Sequence, residues 1–159
     1  MKGKVTILMG SQRDLEFCGE IARPLKTFGI DYSFRVGSAH KTPEKVIKIL
    51  REYENERLVY ITVAGRSNAL SAFVDANTTK PVIACPPCSD KFGGADIYSS
   101  LRVPSGVASL VTLEPEGAAL AAAKIFAVED KELEKRIKEY QQAKKREIEK
   151  ADESIKKLK

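Results

Sequence analysis

The chain has 159 residues, 43% of them hydrophobic, with 27 Lys and Arg against 22 Asp and Glu and a single histidine. That size and apolar share suit one domain with a full core, and no run approaches the roughly 20 apolar residues that span a bilayer. The formal charge of +5 does not point to nucleic acid: after Lys131 the lysines interleave with glutamates, as on a solvated helix, and no aromatic-basic motif accompanies them.

The first residues, Met1-Lys2-Gly3-Lys4 before Val5 to Met9, are basic then apolar. The apolar part is too short for a signal peptide and runs into a turn. Three cysteines, Cys18, Cys85 and Cys88, are an odd number and argue for reduced thiols. Together these predict a cytoplasmic protein.

In chain order, Val5 to Met9 is a continuous apolar run, as in a buried parallel strand. Gly10 to Asp14 closes it, with Ser11 as helix cap and Asp14 in the reciprocal capping-box position. Leu15, Cys18, Ile21, Ala22 and Leu25 are spaced as a helix face that stops at Gly29, and Pro24 inside it should kink or shorten it. A second strand, Tyr32 to Val36, leads to Gly37 to Thr42. Thr42 is then an N-cap and Pro43 a first helical residue for a helix burying Val46, Ile47, Leu50 and Tyr53.

A third strand, Leu58 to Ala64, ends in Gly65-Arg66-Ser67-Asn68 and is followed by a short helix over Ala69 to Asn77. The fourth strand, Pro81 to Cys85, stops at two prolines. A glycine-bearing loop and a short helix near Asp96 to Leu101 come next, then a strand over Ser109 to Leu113 and an alanine-rich helix over Pro115 to Val128. This alternation predicts an α/β fold: one domain, a three-layer sandwich around a five-stranded parallel sheet of flavodoxin-like type, with right-handed crossovers.

From residue 129 to 159 the sequence differs in kind. Leu133, Ile137, Tyr140, Ile148, Ile155 and Leu158 make a sparse apolar stripe among charges. Such a long C-terminal helix needs a surface to lie on, and a neighbouring subunit is the expected one. The expected division is therefore a catalytic unit over 1–128 and a helical extension over 129–159.

In a parallel sheet every strand's C-terminal end opens onto one edge, where ligands bind. The turns at Gly10-Ser11, Ser38 to His40, Gly65 to Asn68 and Cys85 to Pro87 should converge there. Two of them set serines and backbone N–H groups at helix N-termini, an arrangement that receives phosphate, with Arg13 and Lys41 as nearby cations. His40 lies on such a turn rather than on an apolar helix face. Histidine is the side chain that takes and returns a proton near neutral pH, so His40 is the candidate acid-base.

Each feature also has a plainer explanation. Ser11 could be a simple cap, and a lone histidine could be a buried imidazole bonded to a carbonyl. Cys85-Pro86-Pro87-Cys88 has C-x-x-C spacing, but no second paired motif completes a zinc site and two prolines fill the redox position. Buried, inert thiols are the expectation there, and no metal site is expected.

Taken jointly, five segments carry a resemblance. They are Leu8-Met9-Gly10-Ser11 with Asp14, Ser38-Ala39-His40-Lys41-Thr42-Pro43, Ala64-Gly65-Arg66-Ser67-Asn68, Pro81 to Pro87, and Tyr98 to Gly106. In order and spacing they resemble the PurE family of phosphoribosylaminoimidazole carboxylases. The match covers Val5 to about Val128.

One branch of that family rearranges N5-carboxyaminoimidazole ribonucleotide (N5-CAIR). The other adds CO2 directly to 5-aminoimidazole ribonucleotide (AIR), giving 4-carboxy-5-aminoimidazole ribonucleotide (CAIR) in purine biosynthesis. Lys41 after the histidine, Arg66-Ser67-Asn68, and the lack of a second histidine make this chain similar to the direct carboxylases. The mutase of the same family is the alternative. From another class, a non-catalytic nucleotide-binding or C-x-x-C module would not need His40.

The resemblance implies that Gly10, Ser11, Arg13, Asp14, Ser38 and Lys41 hold ribose and phosphate, and that His40 is the acid-base. It implies that Ala39, Gly65, Arg66, Ser67 and Asn68 face the carboxylate, CO2 and the base. It further implies no biotin, ATP or metal, and a homo-oligomer, tetramer or octamer, with sites at subunit boundaries. Arg13 departs from the family's usual serine, and Cys88 from the apolar residue of animal members.

Overall fold

The computed structural model describes residues 3–158. Five strands, β1 (Lys4–Met9), β2 (Asp31–Val36), β3 (Leu58–Val63), β4 (Val82–Ala84) and β5 (Leu110–Val111), form one sheet in the order β2-β1-β3-β4-β5. All neighbours are parallel. The order reverses between β1 and β3, which is the flavodoxin-like switch point.

Alternation along the strands separates two cores. On one face Val5, Ile7 and Met9, with Val59, Ile61 and Val63, pack against α1 (Leu15–Thr27) and α5 (Pro115–Ala127). On the other, Leu8, Leu58 and Tyr60 meet α2 (Pro43–Glu52) and α3 (Ala69–Asp75). Every residue of β3 is buried, as a central strand covered on both faces requires. Each such Leu, Ile or Val contributes about 1.5–3 kcal/mol by leaving water. In α5, Ala118, Ala119, Ala122 and Ala123 are fully buried, and their short side chains let the helix lie close on the sheet.

Local details differ from expectation for identifiable reasons. Helix α1 passes through Pro24 and ends three residues later. Gly29 then takes φ 68, while its N–H reaches Lys26 O at 2.9 Å and that of Ile30 reaches Leu25 O at 3.0 Å. This is the Schellman closure. On α2 the buried face is Val46, Ile49 and Leu50; Ile47, expected inside, is only half-buried, because positions i, i+3 and i+4 face the sheet.

The last two helices are α4 (Tyr98–Leu101) and α6 (Lys131–Lys156). Leu133 and Ile137 of α6 are buried in the first core of their own chain. Arg136 Nη1 donates to Phe28 O at 2.9 Å, and Tyr140 meets Phe28 edge-on at 5.2 Å. Beyond that point Ile148 and Ile155 stand 73% and 65% exposed. The first half of the tail thus completes the domain core, and the second half reaches no part of it. Among the described residues no helix is long and apolar enough to cross a membrane.

Candidate active site

The register of the sheet brings the turns together. Met9 is level with Val36 on one side and Val63 on the other, so the chain leaves all three strands at the same height. Gly10 N–H donates to Val63 O at 2.8 Å and Gly37 N–H to Met9 O at 3.0 Å. Gly37 is buried, and a Cβ there would lie 2.9 Å from Val46 Cγ2. Only glycine lets the end of β2 approach α2 this closely.

Above the switch point lies an open cleft of ≈ 680 Å³. Its walls are Gly10, Ser11, Arg13 and Asp14 after β1; Ser38, Ala39, His40 and Lys41 after β2; and Ala64, Gly65, Arg66 and Ser67 after β3, with Leu70 behind them. Every expected site residue but Asn68 therefore lines one cavity. His40 is exposed, which removes the explanation of a buried imidazole.

The first turn does not form the expected capping box. Ser11 Oγ accepts from Arg13 N–H at 3.3 Å rather than from Asp14 N–H, a short 3-10 turn spans Gln12–Asp14, and the Asp14 side chain makes no cap bond to α1. Burial pushes the Asp14 carboxyl above its ordinary value, opposed by a backbone hydrogen bond at Ser11. In the second turn Ser38 Oγ accepts from Lys41 N–H at 3.2 Å. Thr42, expected to cap α2 forward, instead accepts from Ser38 N–H at 3.0 Å and makes no side-chain cap bond.

These bonds have a chemical consequence. A hydroxyl has one proton to give; in Ser11 and Ser38 the oxygen already accepts from the backbone, so the proton is left for a ligand oxygen. With Arg13, Lys41 and Arg66 on the walls against the single carboxylate of Asp14, the cleft suits an anionic ligand that also carries hydroxyls.

The third turn is strained. Arg66 takes φ 60, the left-handed region that costs a non-glycine residue roughly 1 kcal/mol or more. Asn68 is 2% exposed: its Oδ1 accepts from Ser71 N–H at 3.3 Å and its Nδ2 donates to Ser100 Oγ at 3.0 Å. Its side chain caps α3 and does not line the cleft, a departure from its expected place beside the carboxylate. Leu70 as apolar backing was not foreseen; its only signal was its position two residues past the turn.

The cysteines stand apart. Cys18 and Cys85 are buried, Cys88 exposed, and burial pushes the thiols of Cys18 and Cys85 up to about 12, away from reactive thiolate character. Among the described residues no group of three or more His, Cys, Asp or Glu side chains is placed to hold a metal ion.

Comparison with known proteins fits this geometry. The family model described as AIR carboxylase matches residues 4–147. A phosphoribosylaminoimidazole carboxylase of Archaeoglobus fulgidus is 60% identical over 152 residues, 96% of this chain and 84% of the relative. A human bifunctional phosphoribosylaminoimidazole carboxylase/phosphoribosylaminoimidazole succinocarboxamide synthetase is 45% identical over 127 residues, 79% of this chain and 30% of its own. The crystal structure of Treponema denticola PurE superposes with a TM-score of 0.95 at 52% identity, covering 98% of this chain and 99% of that one. With residues 4–147 matched and such identity over nearly its whole length, the chain belongs to the AIR carboxylase family.

Proposed function

We propose that the cleft above the β1/β3 switch point is the active site in which this chain carboxylates AIR with CO2 to CAIR, in purine biosynthesis. The observation that carries this reading is the convergence of Ser11, Asp14, Ser38, His40, Lys41, Gly65 and Ser67 on one cavity. The free hydroxyl protons of Ser11 and Ser38, with Lys41 and Arg13, receive the 5′-phosphate. Asp14 accepts from the ribose hydroxyls. Gly10 and Ala39 keep the walls low enough for the nucleotide to lie against the backbone.

The reaction needs an acid-base and a place for CO2. The amino group of AIR pushes electron density to the ring carbon, which forms a bond to the carbon of CO2; the new carboxylate takes up the electron pair. The ring carbon then bears both hydrogen and carboxylate. His40 removes that proton, and the C–H electron pair restores the aromatic ring. Gly65, Arg66 and Ser67 hold the carboxylate. The substrate supplies the nucleophilic carbon itself, so the chemistry as written uses no biotin, ATP or metal.

Replacing His40 with Asn tests the assignment. Nucleotide binding is expected to persist while carboxylation falls at least about a hundredfold, the size of an acid-base contribution. Retained turnover would place the chemistry elsewhere.

We also read the chain as a cytoplasmic homo-oligomer, tetramer or octamer. The exposed apolar side chains of Phe92, Tyr98, Leu101, Ile148 and Ile155 support an assembly, and the unpaired thiols support a reducing compartment. Deleting residues 147–159 is expected to lower the assembly mass by more than the deleted residues themselves account for. An unchanged number of subunits would sink the tail's part in it.

A further inference from the structure

The left-handed Arg66 sits between two cavities. On one side is the cleft; on the other a pocket of ≈ 230 Å³ meets the same Ala64-Gly65-Arg66 backbone with Pro86, Pro87 and Ile97. A backbone segment with open space on both sides and a strained residue at its centre keeps its shape only if something else over-determines it. In this chain that support comes from about thirty residues downstream. Asn68 N–H donates to Ser99 Oγ at 2.9 Å. The Ser99 hydroxyl proton is shared between Asp96 O at 2.8 Å and Arg66 O at 3.1 Å. Beside it, Ser100, 2% exposed, takes the bond from Asn68 Nδ2.

We infer that Ser99 is a positioning residue for the carboxylation step, locking Arg66 and Asn68 to α4 so that Gly65 and Ser67 face the CO2 side of the cleft. This rests on the reading of the cleft given above. Ser99 does not line the cleft, and its hydrogen bonds go to Arg66, Asn68 and Asp96 rather than to the Ser11–Asp14 or the Ser38–Lys41 turn. Its effect is therefore confined to one of the two substrates. The preceding stretch cannot provide the anchor: Phe92, Gly93 and Gly94 are left-handed in succession, and Phe92 is 88% exposed.

The test is steady-state kinetics of the full chain with each substrate varied in turn, for wild type, Ser99→Ala and Ser99→Thr. Ser99→Ala is expected to lower kcat/KM for CO2 by roughly ten- to a hundredfold, the cost of a displacement near 1 Å at a reacting group. KM for AIR should stay within about twofold, and Ser99→Thr, which keeps the hydroxyl, should recover most of the loss. Equal kinetics in wild type and Ser99→Ala would overturn the inference while leaving the reading of the cleft intact. So would a loss that appears equally in the AIR and CO2 parameters and follows the fall in melting temperature. A wild-type chain that turns over no AIR would remove the reading of the cleft and this role with it.

Discussion

The two ends of the sheet each carry a cleft of comparable size, and they differ in everything except size. At the strands' N-terminal end a cleft of ≈ 560 Å³ is lined by Ile47, Leu50, Arg51, Glu54 and the loop from Ala76 to Lys80. It is made by the end of α2 and one connecting loop, with relaxed backbone throughout. The C-terminal cleft is built by three turns at one height, with a glycine that admits no Cβ at Gly37, a left-handed Arg66 and a desolvated Asp14. Volume does not mark a site; stored strain, desolvated charge and convergence of several strand ends do.

That contrast can be broken or sharpened by mutation. The largest effect expected is that of His40→Asn, already given. Next is Gly37→Ala: a methyl 2.9 Å from Val46 Cγ2 must push β2 and α2 apart, costing about 1–3 kcal/mol. Denaturant unfolding measures this, and turnover should fall with it because the Ser38–Lys41 turn moves. A neutral Gly37→Ala would show that the close approach is not needed.

Asp14→Asn separates binding from stability. The folded protein holds the Asp14 carboxyl above its ordinary value, so the native state binds that proton more tightly than the unfolded chain. Stability is lost as pH rises from the ordinary carboxylate value through the raised one, and ionised Asp14 costs stability above it. Asp14→Asn should therefore melt higher than wild type at pH 7, should converge with it near pH 3, and should bind AIR more weakly at pH 7. A variant less stable at neutral pH would contradict the desolvated carboxyl. The smallest effect belongs to the other cleft: Arg51→Ala and Lys80→Ala are expected to leave kcat/KM for AIR within about twofold, near the limit for surface changes. A tenfold loss would mean that the N-terminal cleft is functional.

Much of this was legible in the residues. The alternating apolar runs gave the strands and their order of appearance, and a parallel sheet forces turns such as Gly10-Ser11 and Ser38 to Lys41 onto one edge. Other features depend on choices that composition leaves open. Asn68 could cap a helix or face a ligand with the same side chain, and the distance to Ser71 and Ser100 decides for the cap. Thr42 had the sequence of a forward cap, yet Ser38 N–H lies nearer. Ser99 supports a turn more than thirty residues away through tertiary contact, which no local pattern encodes. The tail's stripe looked uniform, but of its members Leu133, Ile137 and Tyr140 meet the core and Ile148, Ile155 and Leu158 stand exposed, because a straight helix leaves a curved surface after a few turns.

The most direct measurement is a spectroscopic assay of the purified full chain with AIR and CO2 drawn from bicarbonate, run beside N5-CAIR as substrate and without ATP. The site described here predicts CAIR formation from AIR that rises with CO2 and is lost in His40→Asn, with little or no conversion of N5-CAIR. Rapid conversion of N5-CAIR with no dependence on CO2 would contradict it and make the chain a mutase.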